Sequence, residues 1–184
     1  MKKFFAVLLI LTMVFTFCAC GGDTASSGND SGDTASGIDM SAFPADVNEW
    51  TGQNFIDYFK AQGLFTDDSA HETWLQDHAN YWPQTPVSEC AGWWDLEGIE
   101  GCMMILTLDP ALSDSSEDDY NAWLEGIKAD KMLPGDYSSL GTVDHLVGNV
   151  VFAYTTMTLD DECLAKCEAA YEQFLSDTGA TAEF

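Results

Sequence analysis

The sequence contains no arginine, and its six lysines are set against 31 aspartates and glutamates, which gives a formal net charge of −25 at pH 7. Nucleic acids and anionic lipid head groups are attracted by clustered lysine and arginine, so a strongly negative chain disfavours both as partners. The missing arginine also removes the bidentate side chain that commonly holds phosphates and carboxylates. The composition therefore excludes nucleic acid and leaves neutral sugars, peptides, proteins, cationic ligands and divalent metals.

The common motifs of catalysis and cofactor binding are also absent. The sequence has no G-x-S-x-G nucleophile turn, no phosphate-binding P-loop, no dinucleotide fingerprint and no H-E-x-x-H zinc motif. Serine, histidine and aspartate are present, but at no spacing that indicates a catalytic set. The sequence therefore predicts no catalytic residue and no cofactor.

A membrane-spanning run is missing as well. The N-terminal apolar stretch Phe4–Phe17 is interrupted by Thr12 and Thr16, whereas a spanning helix needs roughly 20 apolar residues. Lys2 and Lys3 precede the stretch. A positive start, a short apolar core and a small residue at the end are typical of a secretory signal that is removed.

The signal ends in F-C-A-C-G-G, with the small residue Ala19 directly before Cys20. This end resembles the lipobox of bacterial lipoproteins. The resemblance implies that residues 1–19 are cleaved, that Cys20 is acylated and becomes the first mature residue, and that the lipid holds the chain on the extracytoplasmic face of the cell membrane. Cys18 follows the bulky Phe17 and does not fit that position.

A tether of Gly, Ser, Asp, Thr and Ala follows, in which G-D-T-A-S occurs twice. Such a stretch buries too little apolar surface to fold, so we expect a flexible spacer over residues 20–41 and one folded domain over 42–184. Removal of the signal takes away Lys2 and Lys3 and no acid, which leaves four lysines against 31 acids, or −27.

Periodicity along the domain predicts the order helix, helix, one or two strands, helix, hairpin, helix. Thr51 is the expected N-cap of the first helix, with Trp50 packed on Phe55. A second helix is expected from Thr66 to Pro83, with an apolar stripe that includes Trp74 and Leu75.

The strands are expected in the second half of the domain. The apolar run Cys102–Leu108 predicts a central strand, and a short strand is expected near Trp93–Leu96. Gly148–Asn149 predicts a hairpin turn, and Gly179 ends the last helix. These elements indicate an α+β fold, in which helices cover one face of a small, mostly antiparallel sheet.

Four cysteines lie in the domain: Cys90, Cys102, Cys163 and Cys167. An even number in an exported chain favours disulfides, and four cysteines allow three pairings. Cys163 and Cys167 are four apart on an expected helix and point alongside each other, so we expect one of them to pair with Cys90 or Cys102 across the core. Four unoxidised thiols remain the alternative.

The histidines are the candidate metal ligands. His71 and His78 are seven residues apart, which places them on roughly one face of the expected second helix. His145 is the third histidine. These residues define the alternative function of a small extracytoplasmic enzyme or metal-binding protein.

The aromatic side chains around the irregular segment 83–101 are the candidate binding site. Tyr81 and Trp82 precede it, and Trp93 and Trp94 lie within it. Aromatic side chains on loops dock sugar faces and peptides. The competing interpretation is that these rings cover the core. The preferred function is a non-enzymatic, lipid-anchored module that binds a neutral sugar, a peptide or a cell-envelope protein.

Overall fold

A computed structural model of the chain describes residues 37–68, 71–95, 101–112, 117–140, 142–154 and 161–184. All of them belong to one unit, Thr34–Phe184. Packed structure is present from the start of this range, because Ile38 and Met40 already lie against the core. In chain order the helices and strands are α1 (Gly52–Ala61), β1 (His71–Asp77), α2 (His78–Tyr81), β2 (Val87–Asp95), β3 (Gly101–Leu108), α3 (Glu117–Asp130), β4 (His145–Val147), β5 (Val150–Ala153) and α4 (Asp161–Thr178).

The five strands form one sheet in the order β1-β2-β3-β5-β4, and every neighbouring pair is antiparallel. Short 3₁₀ helices at Met40–Ala42, Val47–Glu49, Pro110–Leu112 and Gly135–Leu140 connect the longer elements. The expected α+β class with an antiparallel sheet is therefore confirmed.

Helix α1 begins as its sequence predicts. The Thr51 side chain accepts from the N–H of Asn54, and the Asn54 side chain accepts from the N–H of Thr51, which completes a capping box. The ring centroids of Trp50 and Phe55 lie 5.1 Å apart. The expected N-cap and the packing of Trp50 on Phe55 are confirmed.

The expected second helix is wrong over most of its length. Residues His71–Asp77 form strand β1, and only His78–Tyr81 is helical. The reason lies in long-range pairing, because β1 pairs with β2 over all seven of its residues. Asp67 and Asp68 are expected from the sequence in the first turn of that helix, but they precede the strand instead. The Asp67 carboxylate accepts the N–H of Thr73, and the Asp68 carboxylate accepts the N–H of His71.

Both faces of the sheet are covered, which corrects the expectation of helices on one face. One face packs against α1 and α4 in what we call the aromatic core, whose large side chains are Trp50, Phe55, Tyr58, Phe59, Phe65, Trp93, Phe152, Tyr154, Tyr171 and Phe174. The other face packs against α3 in the α3 core, which contains Trp82, Val87, Cys90, Met104, Leu106, Leu108, Ile127, Leu133, Val143, Leu146, Val151 and Ala153. Alternation along β3 divides its side chains between the two cores.

The predicted hairpin is present. β4 and β5 are joined by Gly148–Asn149, and His145 pairs with Phe152 while Val147 pairs with Val150. Gly148 has a φ of +59°, a conformation that glycine adopts without a side-chain clash. Ser115–Ser116 with Asp118–Asp119, and Thr158 with Asp161, are sequence patterns that predict helix caps. Ser115, Ser116 and Thr158 lie outside the described residues.

Candidate functional site

The structure separates the aromatic side chains that the sequence places at one binding surface. Trp93 is 6% exposed in the aromatic core, and its Nε1 donates to the Thr66 carbonyl oxygen at 2.9 Å. Trp82 is 3% exposed in the α3 core, where it stacks on Tyr137 with centroids 4.9 Å apart. The expected groove is therefore not formed by Trp82 and Trp93, since each is a core residue of a different face.

Of the other two candidates, only Tyr81 has a side chain within the described part of the structure. Tyr81 is 55% exposed at the end of α2. Trp94 pairs with Glu72 in the sheet, and its side chain lies outside the described residues. Among the large hydrophobic side chains of the described residues, Leu75 on the edge strand β1 is the exposed one nearest in sequence to Tyr81, at 41%.

His71 and His78 do not share a helix face, because one begins a strand and the other begins α2. His71 Nδ1 lies 3.3 Å from Asp68 Oδ1, and its ring stacks on Trp93. His78 Nδ1 lies 2.8 Å from the Val87 carbonyl oxygen and donates to it. Within the described ranges, no group of three or more His, Cys, Asp or Glu side chains is arranged to hold a metal ion.

His145 lies where the β4–β5 hairpin meets α4. Its Nε2 is 3.2 Å from Glu168 Oε2, and its ring stacks on Tyr171 with centroids 3.8 Å apart and planes at 5°. Acid–base catalysis by a histidine needs a partner that orients the imidazole, which Glu168 supplies here. It also needs a substrate cleft beside the imidazole. The two clefts described below are lined by other residues.

Burial changes the acidity of the groups around His145. The Asp144 carboxyl accepts the N–H of Tyr154 at 2.7 Å, and burial raises its pKa above the usual value. Burial, with a smaller contribution from the Glu168 charge, raises the pKa of Tyr171 to about 12. Burial also raises the pKa of Tyr154. Both tyrosines therefore stay protonated at neutral pH and serve as packing groups with neutral hydroxyls.

The cysteines are divided between the two cores. Cys90 is fully buried in the α3 core and Cys167 is buried in the aromatic core. Cys90 is in no disulfide, so the expected pair of Cys90 with Cys163 or Cys167 across the core is not formed. Cys163 is partly buried, and the Cys102 side chain lies outside the described residues. Cys90 is a thiol, and burial raises its pKa.

A cleft of about 430 Å³ opens where three segments meet at one end of the aromatic core. It was not predicted from the sequence. The first segment is residues 45–48, which lead into the 3₁₀ helix Val47–Glu49. The second is the β4–β5 turn, and the third is the end of α4 with the residues that follow it. Its lining consists of Ala45, Asp46, Val47, Asn48, Val147, Gly148, Thr178, Gly179, Ala180, Thr181 and Glu183.

Hydrogen bonds hold the walls of this cleft together. Asp46 Oδ1 accepts the N–H of Asn48 at 2.9 Å, and Asn48 Oδ1 in turn accepts the N–H of Asn149 at 3.0 Å. On the third side, the N–H of Glu183 donates to the Leu146 carbonyl oxygen at 2.7 Å. A Cβ at Gly148 would collide with the Asn48 side chain. The cleft is therefore preformed by fixed backbone, and glycine is required in its wall.

A second cleft, of about 390 Å³, lies between the end of α1 and the middle of α4. Gln62, Gly63 and Leu64 line one side, and Lys166 and Gln173 belong to the other. Its lining contains a lysine and no carboxylate. The two clefts thus differ in charge as well as in position.

All four lysines of the domain have an anionic or aromatic neighbour. Lys60 lies 2.9 Å from Asp67, Lys166 lies 2.9 Å from Glu162, and Lys128 lies 3.5 Å from Glu183. The ammonium group of Lys131 lies 4.6 Å from the centroid of the Phe184 ring. Each lysine ammonium group of the domain thus already has a neighbouring carboxylate or ring within the chain. The electrostatic potential at the surface is therefore set mainly by the remaining carboxylates.

In the part of the chain that the structure describes, no helix combines the length and apolar character needed to cross a membrane. Compared with protein-family models, curated proteins and solved structures, the chain matches none.

Proposed function

We propose that the chain is a lipid-anchored binding module on the extracytoplasmic face of the cell membrane, which contacts a neutral or cationic partner and carries out no catalysis. The observation that supports the choice of partner is the engagement of all four domain lysines, by Asp67, Glu162, Glu183 and the Phe184 ring. With three of those ammonium groups beside carboxylates, 31 acids in the chain and no arginine, an anionic partner meets repulsion and a cationic one meets attraction.

The anchor in this proposal is the lipid on Cys20, which follows the short apolar signal and the small residue Ala19. The polar tether that follows allows the domain to move away from the membrane surface. At roughly 5–6 Å times the square root of its length, a Gly/Ser-rich spacer of about 20 residues has an average reach of about 25 Å. That distance is sufficient to present the domain to a partner in the cell envelope.

Contact with the partner is made by the outer surface of the domain. Core side chains cover both faces of the sheet in the described residues, and both described clefts open at the surface. The available features are the clefts and the exposed Leu75 and Tyr81 on the β1 side. Sugars, peptides and cell-envelope proteins are partners of suitable size for such surfaces.

Fractionation of cells that express the full chain tests the anchor. The wild-type protein is expected in the detergent phase with the membranes, and Cys20→Ser is expected to lose the lipid and leave that phase. Cys18→Ser is the matched control, because it removes a neighbouring thiol and keeps Cys20; it is expected to behave as wild type. Equal partitioning of the two variants would overturn the anchor on Cys20.

A further inference from the structure

The cleft at the end of α4 has a strongly negative lining. Asp46 and Glu183 contribute carboxylates, and no lysine lines it. It also adjoins the C-terminal end of the 18-residue helix α4, because Thr178, the last residue of this helix, lines the cleft. Such an end carries partial negative charge from carbonyl groups that lack helical partners. Two carboxylates, of which Glu183 also pairs with Lys128 at 3.5 Å, and the end of a helix therefore contribute negative potential to the same space.

The segment beside the cleft already attracts ammonium groups within the chain. Lys128 Nζ lies 3.5 Å from Glu183 Oε2, and Lys131 Nζ lies over the neighbouring ring of Phe184. Neither lysine lines the cleft. Two of the four domain lysines thus lie against the last two residues, so Glu183 already has one ammonium group as a neighbour.

The rest of the lining suits an aliphatic chain. Ala45, Val47, Val147 and Ala180 contribute apolar groups, and Val47 and Val147 are buried below the cleft surface. Burial of methylene groups against such apolar surface is favourable. A ligand that carries both a cation and a short hydrocarbon chain therefore matches the two parts of the lining.

We propose that this cleft binds a primary ammonium group at the end of a short aliphatic chain, with Asp46 and Glu183 as the carboxylates that receive it. This inference rests on the proposed function, for which it names the ligand chemistry and the contact site. A free diamine and a lysyl side chain share that chemistry, and the probes below distinguish them.

The experiment uses the ¹⁵N-labelled full chain purified in detergent, with amide chemical shifts as the readout. The probes are 1,5-diaminopentane for a free diamine and Nα-acetyl-lysine amide for a lysyl side chain, with glutarate as the anionic control. The expected result is a saturable shift of the amides of Asn48, Gly148, Gly179 and Ala180 with at least one amine and no shift with glutarate. A response to only one amine identifies the source of the ammonium group.

Two double variants of equal net charge separate a site from general attraction. Asp46→Asn with Glu183→Gln removes the two cleft carboxylates, and Glu125→Gln with Asp130→Asn removes two exposed acids of α3 that do not line the cleft. The cleft variant is expected to raise the dissociation constant by about threefold or more, the scale of exposed ion pairs, while the α3 variant stays near wild type. Equal weakening by both variants would overturn the cleft as a site.

The outcome also distinguishes this inference from the function on which it rests. Shifts confined to other surfaces, such as the β1 side near Leu75 and Tyr81, would overturn the cleft and keep a binding module. If Cys20→Ser instead stays in the detergent phase as the wild type does, the lipid anchor is overturned, whether or not the amines bind to the cleft.

Discussion

The backbone N–H of Gly52, the first residue of α1, donates a 2.6 Å hydrogen bond to Oε2 of Glu89 in β2. The carboxylate thus satisfies one of the unpaired donors at the helix N-terminus and complements the positive end of its dipole. The same helix turn is pressed against the sheet, because a Cβ at Gly52 would collide with the Leu75 side chain. One acidic residue therefore fixes how α1 rests on β1 and β2.

Glu89→Ala is expected to lower the free energy of unfolding by about 1–2 kcal/mol, since it removes a charge-assisted hydrogen bond at a partly buried helix end. Urea denaturation followed by circular dichroism measures the change. Glu49→Ala is the control, because Glu49 is an exposed acid in the three-residue 3₁₀ helix Val47–Glu49. It is expected to change the free energy of unfolding by less than about 0.5 kcal/mol. Equal effects would show that Glu89 does not support α1.

Trp93→Ala is expected to destabilise the protein by about 3–5 kcal/mol, because it removes a buried aromatic ring from the aromatic core. Tyr81→Ala is expected to cost less than about 0.5 kcal/mol, since the ring is mostly exposed. Urea midpoints of the two variants give the comparison. A stable Trp93→Ala protein would contradict the burial of this ring.

The features that could be predicted from the sequence depend on neighbours in the chain. The Thr51 cap with Trp50 on Phe55, the strand that ends at Leu108 and the Gly148–Asn149 hairpin each require only local contacts and periodicity, and each is present. These local signals were sufficient to give the α+β class.

The features that were missed depend on distant partners. Trp74 and Leu75 fit a helical stripe as well as a strand, and only pairing with β2 decides for the strand. Trp82 and Trp93 are eleven positions apart in the sequence, and only the two-sided sheet assigns them to different cores. The cleft joins residues such as Asn48 and Asn149 across a separation of 101 positions, for which the sequence carries no local signal.

Cys90 is expected to resist alkylation in the native protein, because the thiol is fully buried and burial raises its pKa. Iodoacetamide treatment followed by peptide mass spectrometry is the measurement. Cys90 is expected to react fully in denaturant without a reducing agent. Tyr81→Cys supplies the control, since a thiol at this exposed position is expected to react in the native state. A requirement for reductant at Cys90 would indicate a disulfide and contradict the structure.

Asp144→Asn is expected to raise the free energy of unfolding at neutral pH relative to wild type. Burial raises the folded-state pKa of Asp144 above 3.8, and Glu168 adds to this while the N–H of Tyr154 and His145 oppose it. Because the pKa is higher in the folded state, the protonated Asp144 carboxyl stabilises the fold fully below about pH 3.8. This stabilisation is lost as the pH rises through the folded-state pKa. Asparagine keeps an oxygen for the N–H of Tyr154 and does not ionise.

The measurement is the stability difference between Asp144→Asn and wild type in urea at several values of pH. The difference is expected to be largest at neutral pH, to shrink as the pH falls through the raised folded-state pKa of Asp144, and to be smallest below about pH 3.8. Asp130→Asn on the exposed face of α3 is the control, with a difference that varies little with pH. A pH-independent difference for Asp144→Asn would show that its carboxyl is not affected by burial.

The most direct test of a lipid-anchored module is mass spectrometry of the full chain recovered from the membranes of a bacterium that expresses it. The expected product begins at Cys20, lacks residues 1–19 and carries lipid in thioether linkage on that sulfur. A product that retains Met1, or one whose Cys20 is an unmodified thiol, would contradict the anchor.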